Sequence, residues 1–355
     1  MSDLYEEARR ELTFILSAID HKEIKKFSVV CMPSFYLDHF VFVKDYHEFC
    51  DKLKLKYKSG GGNLPGLVQN VSQGGGAVNT AIALARLGVH SYYIGRTSEL
   101  GAYILQFFAK KAGVDISHVR EDGKLGQTLA LEIGRDKVNV MINEVGSNYD
   151  FGFDSLKNAD LELIRNCHLV SVHDWGTNVL GGTDLAAKTF AYAKQHAVKT
   201  YFDSADPSVH SRDLPELFEK VMSSKNLDIM SMNVNELKHQ VRDVTLEQAL
   251  ALKHRIPARI DFHSPKYSVS IGTTAVPFPS YDVKLKRSTG AGDTWNAGNI
   301  LGELLGLSPT LRLCFANAVA GYYVSNERGL RPTLDDVLLF IKNEKLRLLP
   351  KEIMM

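Results

Sequence analysis

The sequence has few cysteines and no long apolar run, and each absence narrows the class of protein. The four cysteines, Cys31, Cys50, Cys167 and Cys314, stand apart without the spacing of a metal or redox motif, which favours free thiols in a reducing compartment. No stretch is long enough to cross a membrane, and the charged residues 1–27 lack the apolar core of a signal peptide. We therefore expect a cytoplasmic protein that does not contact a membrane.

The chain also lacks an excess of charge of either sign. Its 42 Lys and Arg residues against 41 Asp and Glu leave a net charge of +1 over 355 residues, so no overall field favours nucleic acid as a partner. With 45% hydrophobic and 23% charged residues, the composition is that of an ordinary globular protein. It has no internal repeat and no low-complexity tract. These absences leave an enzyme or a binding protein as the default.

The apolar periodicity predicts an α/β fold. From residue 155 onward, short apolar strands alternate with amphipathic helices, which indicates a mostly parallel sheet covered by helices on both faces. Residues 1–25 are predicted to form an N-terminal helical extension, residues 26–345 the main domain, and residues 346–355 a tail. Residues 45–63, charged and then rich in glycine, are predicted to form a surface excursion. The early alternating strands favour a second, small sheet built from residues 36–45, 67–73, 91–95 and 129–142.

The segment Arg287-Ser-Thr-Gly-Ala-Gly-Asp293 is the most informative one in the chain. Gly290, Ala291 and Gly292 form a tight turn whose N–H groups can converge on an anion, and the apolar spacing after Asp293 predicts that a helix begins there. The N-terminal dipole of such a helix attracts phosphate, and a carboxylate in its first turn can act as a general base. A glycine turn alone more often only reverses the chain. The adjoining acid and the helix start are what favour an anion site here.

Two earlier segments carry polar groups that a small ligand could reach. Gly74 and Gly75 precede a predicted helix, where glycine allows close approach of a ligand, and Asn79 at the start of that helix could face the ligand or cap the helix. Asp38 lies in an otherwise apolar strand. Its carboxylate could accept hydrogen bonds from the hydroxyls of a polyol, or it could simply face water.

Two further polar segments follow predicted strands. Asn233 and Glu236 come just after the strand at 227–231, at the edge where α/β sheets bind ligands. Glu236 could hold Mg²⁺ through water, because Mg²⁺ keeps much of its hydration, or it could only favour the start of a helix. Residues 172–176 end another strand, and they could face a ligand or pack at the sheet edge.

Together these segments resemble the PfkB (ribokinase-like) family of carbohydrate and nucleoside kinases. Residues 288–293 match the C-terminal signature of that family, and residues 74–79 match its N-terminal glycine motif. Asn233 and Glu236 match its phosphate and magnesium motif, and Asp38 follows the first strand as the substrate-binding acid of the family does. The match is co-linear over about residues 26–345.

The resemblance implies a three-layer αβα fold with a small β-sheet lid, and transfer of the ATP γ-phosphoryl group to a hydroxyl of a sugar or sugar-like substrate, with Mg²⁺. It implies Asp293 as the general base and the N–H groups of Gly290, Ala291, Gly292 and Asp293 as an anion hole. The remaining expected contacts are Asp38, Gly74, Gly75 and Asn79 for the acceptor, Asn233 and Asn317 for the nucleotide, and Glu236 for Mg²⁺ through water.

The chain departs from the family pattern in two places. Arg287 stands where many members carry an acid, at a position outside the expected anion hole. The glycine pair that usually flanks the nucleotide is degraded, and either residues 270–275 or residues 262–266 occupy its place. His263 is then either a residue on the nucleotide side or an ordinary loop histidine.

The sequence is also compatible with other functions. A nucleoside kinase uses the same scaffold, and a kinase-like binding protein could have lost catalysis. A Rossmann dehydrogenase is disfavoured because residues 74–78 lack the required glycine spacing after a strand. If one apolar face of the lid sheet is open, a homodimer through the lid is expected.

Overall fold

The computed structural model describes residues 2–135, 138–240, 246–350 and 353. Its strands are β1 (Ser28–Met32), β2 (Tyr36–Val43), β3 (Val68–Gly74), β4 (His90–Arg96), β5 (Asp115–Arg120), β6 (Gly126–Ile133), β7 (Val138–Glu144), β8 (Leu169–His173), β9 (Lys199–Asp203), β10 (Ile229–Asn233), β11 (Arg259–His263), β12 (Tyr267–Ile271) and β13 (Ala275–Pro279). Its helices are α1 (Ser2–Ala18), α2 (His21–Ile24), α3 (Tyr46–Lys58), α4 (Gly76–Arg86), α5 (Glu99–Phe108), α6 (Asn158–Asn166), α7 (Gly182–Gln195), α8 (Leu214–Leu217), α9 (Val234–Lys238), α10 (Leu246–Lys253), α11 (Ala291–Leu304), α12 (Pro309–Ser325) and α13 (Leu334–Asn343).

A nine-stranded sheet forms the centre of the fold, in the order β13-β12-β11-β10-β9-β8-β1-β4-β5. The strands from β11 to β5 in this order pair in parallel, and β12 pairs antiparallel with both of its neighbours. Helices lie on both sides of the sheet, so its central strands are largely buried, as in residues 29–32 of β1, which are fully buried. The carboxyl ends of the parallel strands meet at one edge, where ligands bind in such sheets.

A four-stranded sheet, in the order β3-β2-β6-β7, stands apart from the large one. Its register places Asp38 beside Thr128 and Thr128 beside Asn143 on one face. The opposite face carries an apolar row that includes Val71 and Leu129. Three of the four predicted lid segments belong to this sheet, although residues 136 and 137, within the predicted 129–142 segment, lie outside the described residues.

The predicted lid strand at 91–95 is wrong as a lid assignment. These residues form β4, which pairs in parallel with β1 and β5 in the large sheet. The alternation suggested a half-exposed strand, but Ser91, Tyr93 and Ile94 are all buried. The Tyr93 hydroxyl donates to the carbonyl of Pro33 at 2.6 Å, and this internal partner lets a polar side chain lie in the core.

The two ends of the chain pack onto the same core. Helix α1, within the predicted extension 1–25, buries Leu12 and Leu16 in contact with α12 and α13. At the other end, Leu349 and Ile353 are buried, while residues 351, 352, 354 and 355 of the predicted tail lie outside the described residues. The predicted excursion at 45–63 contains α3, which has no buried residue. Over the described residues, no helix combines the length and the hydropathy needed to cross a membrane.

Candidate active site

The glycine turn of the signature lies at the start of α11. Gly290 has φ +78° and is the N-cap residue of this helix, a left-handed conformation that favours glycine. The N–H of Ala291 bonds to the carbonyl of Ser288 at 3.1 Å. For Gly292 and Asp293, the described part of the chain offers no hydrogen-bond acceptor to the backbone N–H. These two N–H groups and the helix dipole therefore form the donor surface of the turn.

The Asp293 side chain lies in the first turn of α11 and is half-buried. Its Oδ2 accepts a hydrogen bond from Asn79 Nδ2 at 2.8 Å. Loss of hydration, followed by the negative charges of Asp174 and Asp203, raises the pKa of Asp293 from 3.8 to about 7, and the Asn79 bond and Arg331 oppose that rise. A carboxyl group with a pKa near neutrality is suited to general-base chemistry.

Asn79 lies inside α4, whose N-cap residue is Gly75. The alternative that Asn79 caps this helix is therefore wrong. Its amide connects two side chains, because Oδ1 accepts from Arg331 Nη2 at 2.7 Å while Nδ2 donates to Asp293. The hydroxyl of Thr80 also donates to the backbone carbonyl of Asp293 at 3.2 Å. Helix α4 thus holds the first turn of α11 in place.

The glycines before α4 let the chain pass close to Asp38. A Cβ at Gly74 would collide with the Asp38 carboxylate, and one at Gly75, where φ is +94°, would lie 2.6 Å from the carbonyl oxygen of Ser34. Burial raises the pKa of Asp38 to about 6, while a hydrogen bond from Thr128 lowers it and Asp174 adds to the rise. Asp38, Gly74 and Gly75 therefore form one wall beside Asn79.

Two more acids lie at the same edge: Asp174, from the segment 172–176 that could face a ligand, and Asp203, which no motif in the sequence indicates. Asp174 follows β8 in a left-handed conformation (φ 56°, ψ 41°), and its Oδ2 accepts from the N–H of Gly76 at 2.7 Å. Asp203 ends β9, and its buried carboxylate accepts from the N–H of Ala205 at 2.9 Å and from the amide of Asn296. Burial raises the pKa of Asp203 to about 6. Both acids stand at the end of a buried parallel strand, and this position in the sequence is the feature that could have indicated them as site residues.

Asn233 and Glu236 form a capping box at the start of α9. The Asn233 Oδ1 accepts from the N–H of Asn235 at 2.8 Å and from that of Glu236 at 3.1 Å, and Glu236 Oε2 accepts from the N–H of Asn233 at 2.9 Å. Glu236 is only 5% exposed. Burial, followed by the charge of Asp203, raises its pKa well above the ordinary value. Glu236 therefore does stabilise the start of a helix, as one alternative expects. It also lies at the carboxyl edge of the sheet, where the other alternative expects a ligand.

Glu236 fits a hydrated divalent cation. No group of three or more His, Cys, Asp or Glu side chains within the described residues could hold a metal directly. Asp174 and Asp203 nevertheless raise the pKa of both Glu236 and Asp293 through like charge. Mg²⁺ keeps several of its waters and binds proteins through one or two carboxylates, so Glu236 suits Mg²⁺ held mainly through water.

The β11–β12 hairpin places its turn at the carboxyl edge of the large sheet. Because β12 runs antiparallel to β11, residues 264–266 lie at the carboxyl edge and residues 272–274 at the opposite edge, so the 270–275 alternative is wrong. His263 lies with its ring centroid 4.7 Å from that of Trp295, and its Cε1 would be 3.2 Å from a Cβ at Gly292. Burial lowers the pKa of His263 to about 4, so the ring is neutral at pH 7.

Asn317 is part of the wall behind the turn. Its Oδ1 accepts from Trp295 Nε1 at 2.8 Å, and its Nδ2 donates to the carbonyl of Pro279 at 3.1 Å. Both ends of the amide are thus engaged within the protein. Arg287 lies outside the turn, where its guanidinium donates to the carbonyls of Asn326 and Glu327 in the loop after α12.

The small sheet reaches the signature turn directly. Asn139 of β7 donates from Nδ2 to the hydroxyl of Thr289 at 3.0 Å, and the backbone carbonyl of Thr289 accepts from the Tyr323 hydroxyl at 2.9 Å. Residues 289 and 139 lie 150 positions apart, so no local pattern predicts this contact. It brings the face of the small sheet that carries Asp38 over the turn.

Comparisons with known proteins agree with this architecture. A family model described as pfkB family carbohydrate kinase matches residues 55–334. A 5-dehydro-2-deoxygluconokinase of Geobacillus thermodenitrificans is 25% identical over 300 residues, which cover 77% of this chain and 85% of that protein. A ribokinase of Bacillus subtilis is 25% identical over 277 residues, covering 74% and 86%. The solved structure of Arabidopsis thaliana ribokinase complexed with ribose and ATP has a TM-score of 0.70 at 21% identity, covering 89% of this chain and 98% of that one.

Proposed function

The chain belongs to the pfkB family of carbohydrate kinases, and from that premise we propose that it transfers the γ-phosphoryl group of ATP to a hydroxyl of a sugar or sugar-like substrate. One observation carries the proposal: the Asp293 carboxylate, with a pKa of about 7, lies in the first turn of the helix that follows the glycine turn. The curated relatives named above are sugar kinases, which favours a sugar over a nucleoside as acceptor.

In the proposed reaction, Asp293 accepts the proton of the acceptor hydroxyl as the hydroxyl oxygen attacks the γ-phosphorus. The bond between that phosphorus and the bridging oxygen of ATP breaks, and ADP leaves with the electron pair. The anion hole at residues 290–293 faces the charge that shifts through the transferring phosphoryl group. The N–H groups of Gly292 and Asp293 are its open donors, and such preorganised donors act mainly electrostatically.

Asp38 and Asn79, with Gly74 and Gly75 between them in space, hold the acceptor in this proposal. The Asp38 carboxylate accepts hydrogen bonds from acceptor hydroxyls, and the glycines let the sugar lie against the backbone. The small sheet acts as a lid that excludes water from the transferring phosphoryl group, which would otherwise be lost to hydrolysis. The Asn139–Thr289 hydrogen bond supports this role, because it connects the lid to the signature turn.

On the donor side, Glu236 and Asn233 would hold hydrated Mg²⁺ and the nucleotide phosphates, and Asn317 would fix the wall of the adenine site. When bound, Mg²⁺ supplies positive charge that offsets the phosphates and the surrounding acids. The capping box keeps Glu236 in a fixed orientation toward the edge of the sheet. A single fixed carboxylate, rather than a closed ligand set, suits a cation that arrives with ATP.

We also propose a homodimer through the outer face of the lid sheet. That face carries five exposed apolar side chains, with exposed fractions between 37% and 59%: Val71, Leu129, Val138, Val140 and Ile142. An apolar row of this extent is typical of a protein–protein contact. The cytoplasmic location expected from the sequence stays a prediction.

The test is ATP turnover with a panel of acceptors that includes D-ribose, 5-dehydro-2-deoxygluconate and adenosine. We expect turnover with a sugar or sugar acid, and we expect Asp293→Asn to lower kcat by on the order of 10²–10⁴. Asp335→Asn is the matched control, because Asp335 is an exposed aspartate in the first turn of α13 and should not affect turnover. Turnover with adenosine alone would favour a nucleoside kinase. No turnover with any acceptor would favour a binding protein, and full activity of Asp293→Asn would refute the base.

A further inference from the structure

Arg331, in the loop between α12 and α13, is connected to Asp293 through one side chain. Its guanidinium Nη2 donates to Asn79 Oδ1 at 2.7 Å, and Asn79 Nδ2 donates to Asp293 Oδ2 at 2.8 Å. Arg331 is 6% exposed and Asn79 is equally buried. The arginine is 252 residues from Asn79 in the sequence, and it belongs to none of the motifs that point to the site.

The two hydrogen bonds that connect Arg331, Asn79 and Asp293 run in one direction, from donor to acceptor. A guanidinium has only donors and a carboxylate has only acceptors, whereas an amide has an oxygen on one side and an NH₂ group on the other. With Arg331 on one side, the Asn79 oxygen must face the guanidinium, so its NH₂ must face Asp293. Without Arg331, the protonated Asp293 could instead donate to the Asn79 oxygen, and the amide would then turn over into an orientation that repels the ionised carboxylate.

The guanidinium is itself held below the signature turn. Its Cζ lies over the Tyr323 ring, 5.2 Å from the ring centroid, and the Tyr323 hydroxyl donates to the carbonyl of Thr289. The backbone carbonyl of Arg331 accepts from Arg86 Nε of α4 at 3.2 Å. These contacts fix Arg331 relative to both helices that meet at Asp293.

We propose that Arg331 is a positioning residue, which holds the Asn79 amide in the orientation that donates to Asp293 Oδ2 and leaves Oδ1 for the proton of the acceptor. The proposal rests on the proposed role of Asp293 as base. The same contact places a positive charge near a carboxylate that is otherwise surrounded by acids. The ionisable side chains around Asp293 are Asp174 after β8, Asp203 at the end of β9, Glu236 in α9, His263 at the end of β11, and Arg331 itself.

The electrostatic consequence can be measured without any substrate. Arg331 lowers the pKa of Asp293, against the effect of burial and the neighbouring acids. In protein labelled with ¹³C at the aspartate carboxyls, the Asp293 resonance is the one missing from the Asp293→Asn spectrum. We expect Arg331→Met to move the titration of this resonance to higher pH, and Arg331→Lys to move it less because the charge remains. Arg328→Met, which alters an exposed arginine of the same loop, should leave it unchanged.

A second measurement separates positioning from simple charge. In an Asn79→Ala background, Arg331 has no amide to orient, so Arg331→Met should move the Asp293 titration less than it does with Asn79 present. In the panel assay, Arg331→Met should lower kcat by about 10- to 100-fold with the KM for ATP unchanged. If Arg331→Met does not fold, Arg331→Lys serves instead. Lysine keeps the positive charge but loses the planar guanidinium, so a lower kcat in this variant still reports on the positioning of the Asn79 amide.

An Asp293 titration that is identical in the wild type and in both Arg331 variants would overturn the proposal. The proposal would also be overturned if Arg331→Met moved the Asp293 titration by the same amount in the wild-type and Asn79→Ala backgrounds. Failure of the proposed base would look different, because Asp293→Asn would then keep its activity while the Asp293 titration still responded to Arg331.

Discussion

Replacing Asp293 with asparagine should make the protein more stable at neutral and alkaline pH. The folded protein holds this carboxyl at a pKa of about 7, against an ordinary value of 3.8, because hydration is lost and acids lie nearby. The folded state therefore binds the proton more tightly than the unfolded state does. The contribution of Asp293 to stability is least unfavourable below pH 3.8, worsens as the pH rises toward 7, and is constant above that.

The size of the effect follows from the difference between the two pKa values. A difference of about three pH units, at about 1.36 kcal/mol for each, sets an upper limit of about 4 kcal/mol. The remaining access of water to the half-buried side chain lowers the observed value. Asparagine keeps the shape and can accept the Asn79 hydrogen bond through its oxygen, but it cannot ionise.

The assay is urea unfolding of the wild type, Asp293→Asn and the control Asp335→Asn at intervals from pH 4 to pH 8. The free energy of unfolding of Asp293→Asn should exceed that of the wild type by an amount that grows between pH 4 and pH 7 and then levels off. The control should follow the wild type throughout. A difference that does not depend on pH, or an Asp293→Asn protein that is less stable at pH 8, would refute the reasoning.

Three further changes test other parts of the site. Gly74→Ala should raise the KM for the acceptor at least 10-fold without altering the KM for ATP, because a Cβ there displaces the Asp38 carboxylate. Gly272→Ala, where a Cβ meets open space, should be neutral, and equal effects of the two substitutions would contradict this prediction. Glu236→Gln should raise the Mg²⁺ concentration for half-maximal turnover by about 10- to 100-fold, and an unchanged Mg²⁺ dependence would remove Glu236 from the cation site. Asn139→Ala should raise the KM for the acceptor with a loss of about 1 kcal/mol or less in unfolding free energy; Thr289→Val should match it, and an additive double variant would argue against their direct bond.

The parts of the site that depend on local backbone could be predicted from the sequence. Gly290 begins a helix with positive φ, and a Gly-Ala-Gly turn followed by an apolar period predicts that. The strand and helix rhythm after residue 155 likewise predicts parallel strands whose carboxyl ends share an edge. Asn233 and Glu236 lie at that edge for this reason, since β10 ends there.

The parts that depend on distant pairing could not be predicted in this way. Asp174 bonds to Gly76 across 98 positions and Asn139 to Thr289 across 150. Neither contact leaves a mark in the neighbouring sequence. The wrong lid assignment of 91–95 has the same origin, because the partner that allows Tyr93 into the core is a carbonyl 60 residues away.

Burial of the acids at the carboxyl edge has two effects. It lowers the stability of the fold, and it favours the proposed chemistry. Removing Asp293, Asp203 and Glu236 from water raises the pKa of each, which weakens the folded state at neutral pH. The same rise brings Asp293 to a pKa at which it can take a proton at neutral pH. Of the groups that affect its pKa, Asn79 and Arg331 act in the opposite direction, so they set how far the rise goes. The proposed base therefore depends both on the burial of the acids and on the limit that Arg331 imposes. Asp293→Asn should raise stability and lower turnover at neutral pH, whereas Arg331→Met should lower both.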